Sequence, residues 1–340
     1  MRVRRLLLAL LLLPVATLAL GLSDRTAFDN SLSYRSFYYS DVLFVSPSEL
    51  ELVDGKVPTD ETHYVSPPNS LRLKWQSQTG GDWLISLKVK ARYGTADFSG
   101  GSLFFWCYSE TDLSPNASPL IYLKDVNDEG TPSIRLIGSL EKLPAHTWIR
   151  VKLPFDSFVG PVRETRAPQF DPHRLARITI RQGLDDGKAH TIYIDEITVG
   201  DEVADNRKVP TAPSGVVAKG YERHIDLTWI PVSNADLRYY KIYRSFDGNT
   251  YAPIGIQRAS TNRYEDFLGE SGKDSFYKIS SVAMNYNESP LSAEVKTTTR
   301  TMSDDELLTM VQEACFRYYW RVRTLSQVWQ LKSCLAMKTW

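Results

Sequence analysis

Apolar and polar residues alternate with a period of two through most of the chain between residues 28 and 299. This period buries one face of a β-strand and exposes the other. In the first part of this region, such strands are predicted at 70–75, 83–89, 147–153, 177–180 and 190–199. No segment with a helical period of 3.6 lies between them. Residues 28–203 are therefore predicted to form an antiparallel β-sandwich.

A second group of strands follows a linker at 204–213, where Pro210 and Pro213 fix φ and remove two backbone donors. Its strands are predicted at 216–219, 224–229, 239–244, 251–254, 263–266, 276–283 and 293–296. Seven strands of this length predict a smaller sandwich over 214–299.

Helical spacing of apolar residues begins only after residue 300. Ser303 and Glu306 form a capping box, in which each side chain can bond the other residue's backbone N–H. A short amphipathic helix is predicted over 303–320. The predicted fold class is therefore all-β, with two sandwiches and a short C-terminal helix.

The chain has 340 residues, of which 42% are hydrophobic and 24% are charged. These fractions suit two domains with buried cores and exclude a disordered chain or a polytopic membrane protein. Lys plus Arg and Asp plus Glu number 40 each, but 1–20 carry three basic residues and 321–340 carry four, without any acid. The residues between them therefore sum to −7, and nucleic acid is not an expected partner.

The N-terminus has the order of a secretory signal peptide, predicted over 1–21. Three arginines in the first five residues precede an apolar stretch at 6–20, and the small residues Ala19 and Gly21 offer a cleavage site. The alternative is a retained anchor, although the ~15 apolar residues fall short of the ~20 that a spanning helix needs. We expect an exported protein, periplasmic or extracellular, with no stable membrane span after cleavage.

The order of segments in the first sandwich resembles the jelly-roll domains of carbohydrate-binding modules. The segments that carry this resemblance are 69–73, 80–83, 146–154 and 193–197. The resemblance implies glycan binding, in which sugar rings stack on exposed aromatic side chains. The candidate residues are Trp106, Tyr108, Trp75, Trp83 and Tyr122. Trp106 and Tyr108 are favoured because alternation places them on one face, and the alternative is that these rings fill the core.

The same resemblance implies a structural calcium ion, and no other cofactor is expected. Asp195 matches the acidic position of the last strand, and Asp41 or Glu49 could supply the position near the start. Because calcium takes several oxygen ligands, a solvated or locally hydrogen-bonded Asp195 stands as the alternative.

The second sandwich closely resembles a fibronectin type III domain, through Leu227-Thr228-Trp229 and the segment 277–283 followed by Asn287-Glu288-Ser289. The resemblance implies a spacer.

Residues 306–320 contain Ala-Cys-Phe-Arg-Tyr-Tyr-Trp and resemble the opening helix of a glycoamylase-like domain, a family of secreted glycoside hydrolases that includes β-1,2-glucanases. The resemblance ends after Trp320, and a shifted reading frame could encode a family-like continuation. We therefore expect a hydrolase domain that is truncated or frameshifted after Trp320, with an out-of-frame tail at 321–340.

Glycoside cleavage needs two carboxyl groups at a defined separation, but the adjacent acidic pairs of this chain fit a turn and a helix N-terminus. No catalytic residue is assigned, and this chain is not expected to be an enzyme. We predict a secreted, monomeric, non-catalytic accessory region that binds a glucan for a larger glycoside hydrolase. Two alternatives are an adhesion or protein-interaction module without glycan specificity, and a hydrolase with its site in the first sandwich.

Overall fold

The computed structural model describes residues 26–31, 35–89, 100–158, 170–202, 208–234 and 236–326, with side chains as far as residue 317. The predicted signal peptide at 1–21 and the predicted tail from residue 327 lie outside these residues. The chain divides into two compact units, the first holding the described residues up to 202 and the second most of those from 208 onwards. No helix within the described ranges is long and apolar enough to cross a membrane.

The first unit contains two antiparallel sheets. Its strands are β1 (Thr26–Phe28), β2 (Ser40–Val45), β3 (Glu49–Leu50), β4 (Thr59–Asp60), β5 (Ser70–Gln76), β6 (Asp82–Lys88), β7 (Ser102–Ser109), β8 (Leu120–Asp125), β9 (Ile134–Arg135), β10 (Ile149–Pro154), β11 (Leu175–Arg181) and β12 (Ala189–Gly200). The first sheet has the order β10-β7-β12-β5-β3, with β1 beside β12 and β4 beside β5. The second sheet has the order β2-β6-β11-β8-β9. Short 3-10 helices span Phe155–Phe158 and Pro172–Arg174.

The core of the first unit lies between these sheets and is filled by the inward positions of each strand. On β7 these positions are Leu103, Phe105 and Cys107, all of which are buried. Burial raises the pKa of the Cys107 thiol to about 12, so this side chain behaves as a small apolar group. Trp75 on β5 and Trp83 on β6 meet in the core with their rings 5.7 Å apart.

The second unit contains two smaller sheets. Its strands are β13 (Ser214–Gly220), β14 (His224–Ile230), β15 (Leu237–Ser245), β16 (Ala252–Arg258), β17 (Arg263–Phe267), β18 (Asp274–Ala283) and β19 (Val295–Thr298). One sheet has the order β13-β14-β17 and the other β16-β15-β18-β19. Trp229 packs edge-on against Tyr240 in the core, at a centroid distance of 5.0 Å. Trp229, which belongs to the motif Leu227-Thr228-Trp229 named above, is thus a buried core residue.

The helix α1 spans Asp304–Ser326 and has 23 residues. Its start has the predicted capping box, because the Glu306 N–H donates to Ser303 Oγ at 3.3 Å and the Ser303 N–H donates to Glu306 Oε2 at 3.0 Å. Its end differs from the prediction, since the helix continues six residues beyond Trp320. The helix is therefore longer than the short element expected at 303–320.

Candidate functional site

The outward face of the first sheet carries a connected group of aromatic and ionisable side chains. Tyr108 on β7 and Tyr193 on β12 are directly opposite in register, with ring centroids 5.7 Å apart. They point outward because their neighbours in the strand, such as Cys107 and Ile192, point into the core. Side chains from 60–63 and 146–148 gather around these two rings. We call the following seven side chains the Glu110 cluster: Asp60, His63, Tyr108, Glu110, His146, Trp148 and Tyr193.

Ring contacts hold the aromatic members of the Glu110 cluster together. The His63 imidazole stacks on Tyr193 with centroids 4.3 Å apart and lies 5.1 Å from Tyr108. The half-buried indole of Trp148 is tilted by 48° against Tyr108 at 5.5 Å. Aromatic pairs at such distances add to the stability gained from burial alone.

Glu110 lies among three of the other members. Its Oε1 accepts a hydrogen bond from the Tyr193 hydroxyl at 3.0 Å. His63 Nε2 lies 3.8 Å from Oε1, and His146 Nδ1 lies 3.9 Å from Oε2. Burial raises the pKa of the Tyr193 hydroxyl and the Glu110 carboxylate raises it further, so Tyr193 stays protonated as the donor.

Asp60 fixes the turn that places His63 against the sheet. Its Oδ1 accepts from the Thr62 hydroxyl at 2.6 Å, from the His63 N–H at 2.8 Å and from the Thr62 N–H at 2.9 Å. Burial tends to raise the pKa of Asp60, but these hydrogen bonds outweigh it and hold the pKa below its ordinary value. Arg72 adds an ion pair from β5, with Nη1 at 3.6 Å from Asp60 Oδ2.

Asp195 tethers the same segment to β12. Its buried Oδ2 accepts from the backbone N–H groups of Val65 at 2.7 Å and Ser66 at 2.8 Å, while Oδ1 accepts from the Glu196 N–H at 2.7 Å. Burial and the charge of neighbouring Glu196 raise the pKa of Asp195 well above its ordinary value. The Ser66 hydroxyl donates to the Asp29 carbonyl at 2.8 Å and also faces Asp195 Oδ1 at 3.2 Å. Asp195 is thus a positioning residue for the Glu110 cluster.

The chemistry of the Glu110 cluster suits contact with hydroxyl groups and apolar ring faces. Asp60 contacts His63 Nδ1 at 3.1 Å, and Glu110 faces the other nitrogen of the same imidazole. The imidazole therefore fills the space between the two carboxyl groups, where a glycosidic bond would have to lie for both to act on it. The arrangement can bind a sugar but does not form a facing pair of carboxyl groups.

The predicted aromatic candidates lie in three different places. Tyr108 belongs to the Glu110 cluster, and Trp106 occupies the preceding outward position of β7, opposite Asp195. Trp75 and Trp83 are buried in the core, with 3% and 1% of their surface exposed, so neither presents a ring face to a ligand. Tyr122 lies on the outward face of the second sheet, away from the others.

Six further members of the Glu110 cluster were missed from the sequence. They are Asp60, His63, Glu110, His146, Trp148 and Tyr193. A signal was present for Glu110, which continues the outward alternation that Trp106 and Tyr108 begin. His146 and Trp148 lie within 146–154, a segment that indicated a strand and the resemblance to carbohydrate-binding modules but no site residue.

The candidate calcium ligands are not brought together. Asp195 is bound by backbone N–H groups on the first sheet. Asp41 lies on the second sheet, where its carboxylate pairs with Lys88 at 2.6 Å and Lys56 at 3.6 Å. Glu49 lies on β3 of the first sheet. Within the described ranges, no three His, Cys, Asp or Glu side chains form a group suited to a metal ion.

Comparison with known proteins gives a match that extends over most of the chain. A curated exo β-1,2-glucooligosaccharide sophorohydrolase (non-reducing end) of Parabacteroides distasonis is 37% identical over 299 residues, which are 87% of this chain and 41% of the relative. The crystal structure of a β-1,2-glucanase from the same organism matches with a TM-score of 0.77 and 35% identity, over 88% of this chain and 42% of that one. The chain thus spans about two-fifths of the length of each relative. No family model matches.

A family 11 carbohydrate-binding module of a cellulosomal cellulase from Clostridium thermocellum is a weaker structural match. It has 14% identity and a TM-score of 0.35, over 54% of this chain and 97% of that one. A score this low does not support assigning the first unit to that type of module.

These matches correct three predictions made from the sequence. The resemblance to a hydrolase was expected only in the C-terminal helix, but 299 aligned residues are too many to leave out either unit. The interpretation of both units as accessory modules, with the resemblance to a hydrolase confined to the C-terminal helix, is therefore wrong, and so is the prediction of a non-catalytic accessory region. The expectation that the chain is not an enzyme is overturned by the match to a curated hydrolase.

The predicted fold class is also wrong as stated. The described chain is mostly strands in several sheets with one long helix, and the structure that it matches well is that of a β-1,2-glucanase. Loose strand order could not distinguish this architecture from a jelly roll followed by a fibronectin type III domain, because many sandwiches share the same alternation.

Proposed function

We propose that this chain acts in the enzymatic degradation of β-1,2-linked glucooligosaccharides. The observation that carries the proposal is the 37% identity with a curated exo-acting sophorohydrolase over 87% of the chain. The structural agreement with a β-1,2-glucanase of the same organism, at a TM-score of 0.77, also supports it. The substrate would be a short β-1,2-glucan, with the disaccharide sophorose released from the non-reducing end.

The Glu110 cluster is compatible with a glucan substrate. It combines partly exposed aromatic rings with carboxylate and imidazole groups that can bond hydroxyls. Ligand sites commonly have this composition, in which apolar surface supplies affinity and a few polar groups fix orientation.

The test is a hydrolysis assay of the full chain with linear β-1,2-glucooligosaccharides labelled at the reducing end. We expect sophorose to be released and the labelled product to be shorter by one disaccharide. Oligosaccharides with β-1,3 and β-1,4 linkages serve as controls and should remain intact. An unchanged β-1,2 substrate, or equal cleavage of all three linkages, would refute the proposed function.

A further inference from the structure

The members of the Glu110 cluster differ in their access to solvent. The His146 side chain is 67% exposed and the Glu110 side chain is 38% exposed, whereas Tyr193 is buried. Tyr108 and Trp148 are half-buried. The cluster therefore has an enclosed base, made by buried Tyr193 and partly buried Asp60, and an accessible rim with two rings, a carboxylate and an imidazole.

The polar groups of this rim are spaced for a bridging hydroxyl. Direct N–H···O hydrogen bonds have heavy-atom distances of about 2.7–3.2 Å. His63 Nε2 lies 3.8 Å from Glu110 Oε1, and His146 Nδ1 lies 3.9 Å from Glu110 Oε2. Both distances are too long for a direct hydrogen bond. His146 Nδ1 also contacts the Tyr108 hydroxyl and His63 Nδ1 contacts Asp60 Oδ1, each at 3.1 Å. A hydroxyl that donates to Glu110 therefore accepts from His63 Nε2 when both nitrogens of that imidazole carry a proton, and it would bridge the gap as ordered water does across such distances.

The aromatic part of the rim has a shape that favours a bent saccharide. The ring planes of Tyr108 and Trp148 are inclined at 48° and are in contact with each other. A flat β-1,4-linked chain presents nearly coplanar sugar rings, which fit a flat row of aromatic side chains. Adjacent sugars in a β-1,2 linkage lie at an angle, so each can face a different one of these two rings.

We propose that the Glu110 cluster is a binding site for one β-1,2-linked glucose disaccharide. The two sugar rings lie against Trp148 and Tyr108, and one sugar hydroxyl lies between Glu110 and an imidazole. The choice of sugar rests on the proposed function, while the location and the ring contacts rest on the geometry of the cluster.

The experiment titrates the full chain with sophorose and with the β-1,3- and β-1,4-linked glucose disaccharides, using calorimetry. We expect sophorose to bind most tightly, and the Trp148→Ala and Glu110→Gln variants each to weaken its binding at least tenfold. Tyr122→Ala is the matched control, because it removes a half-buried tyrosine from the outward face of the second sheet. This control should bind sophorose with unchanged affinity.

A second measurement avoids any dependence on the folding of an alanine variant. The indole N–H signal of Trp148 is assigned in a proton–nitrogen spectrum by its loss in Trp148→Phe. Sophorose should shift this signal in the unsubstituted protein and leave the core signals of Trp75 and Trp83 in place.

The outcomes separate this site from the proposed function. If the full chain releases sophorose but Trp148→Ala binds it as well as the unsubstituted protein, the site is refuted and the function stands. If sophorose binds at Trp148 but no glucan is cleaved, the function is refuted and the site stands. An unmoved Trp148 signal at saturating sophorose refutes the site.

Discussion

The two outward faces of the first unit follow the same strand period and carry different chemistry. On the first sheet, outward side chains of β7 and β12 join Glu110 and His63 in one connected group. On the second sheet, the register of β6, β11 and β8 places Lys88, Arg177 and Lys124 side by side. Two of these cations have separate carboxylate partners, Asp41 for Lys88 and Asp128 for Lys124.

The difference between the faces comes from what covers them. The first face is partly covered by the segment that holds Asp60 and His63, and Asp195 tethers this segment through buried hydrogen bonds. The ionic groups on the second face are more exposed, and their pairs lie in a high dielectric, where each contributes little. A covered face can therefore hold polar groups in a fixed geometry, which a binding site needs and an open face does not provide.

The largest expected difference between the faces concerns their carboxylates. We expect Asp195→Ala to lower the free energy of unfolding by about 2–4 kcal/mol, because it leaves buried backbone N–H groups without an acceptor. The matched change on the second face, Asp41→Ala, should cost less than about 1 kcal/mol. Urea unfolding measures both. Equal losses would show that the first face is no better tethered than the second.

A smaller effect is expected from the tyrosine beneath Glu110. Tyr193→Phe removes the hydroxyl that donates to Glu110 and should cost about 0.5–1.5 kcal/mol in the free energy of unfolding. Tyr122→Phe on the second face is the control and should leave the unfolding midpoint unchanged. A larger effect at Tyr122 would contradict the description of the second face as open.

Acid should distinguish the faces through two carboxyl groups with lowered pKa values. Asp60 is held by hydrogen bonds from Thr62 and His63, whereas Asp128 is held by Lys124. A carboxyl whose folded pKa is lowered stabilises the protein above its unfolded pKa of about 3.9, and this contribution disappears as the pH falls through the folded value. At neutral pH the unsubstituted protein should therefore be more stable than Asp60→Asn by less than about 1 kcal/mol. This difference should be lost on acidification.

Salt provides the control for the acid experiment. The advantage of the unsubstituted protein over Asp60→Asn should persist in high salt, because the hydrogen bonds from Thr62 and the His63 N–H, at 2.6–2.9 Å, hold this carboxylate more closely than Arg72 does at 3.6 Å. The advantage over Asp128→Asn should shrink, because salt screens an exposed ion pair. Unfolding curves at neutral and acidic pH, each at two salt concentrations, measure both. The same salt response for both variants would contradict the assignment.

The smallest expected effect is a gain in stability on the second face. Arg177→Gln removes the middle cation of the row, where like charges directly opposite each other on neighbouring strands are unfavourable. The attraction of Arg177 to the exposed Asp128 carboxylate, which Lys124 already pairs, offsets only part of this repulsion. We expect the free energy of unfolding to rise by a few tenths of a kcal/mol at low salt and the gain to vanish at high salt. Thermal unfolding measures it. A loss of stability would show that Arg177 makes a favourable contact instead.

Local periodicity predicted the long strands well. The expected segments 70–75 and 83–89 correspond to β5 and β6, and the period continues through the buried part of each strand. The two-residue strands β3, β4 and β9 are too short to show a period and depend on their partners in the sheet.

The candidate site was harder to predict because it depends on contacts between distant parts of the chain. Tyr193 meets Glu110 across 83 residues, and Asp195 meets Val65 across 130. These contacts follow from strand register and from a covering segment without any repeating pattern. The burial of Trp75, by contrast, can be predicted from its own strand. Trp75 occupies the same alternating positions as Leu71 and Leu73 and lies with them in the core.

The buried Cys107 gives the first unit an internal reporter. Only the thiolate reacts readily with alkylating reagents, and this thiol is both enclosed and hard to deprotonate. Its alkylation therefore requires the two sheets to separate, whereas the exposed Cys315 can react without any such opening. Mass spectrometry of the peptide that contains residue 107, after timed exposure to reagent, would follow how often the sandwich opens under native conditions.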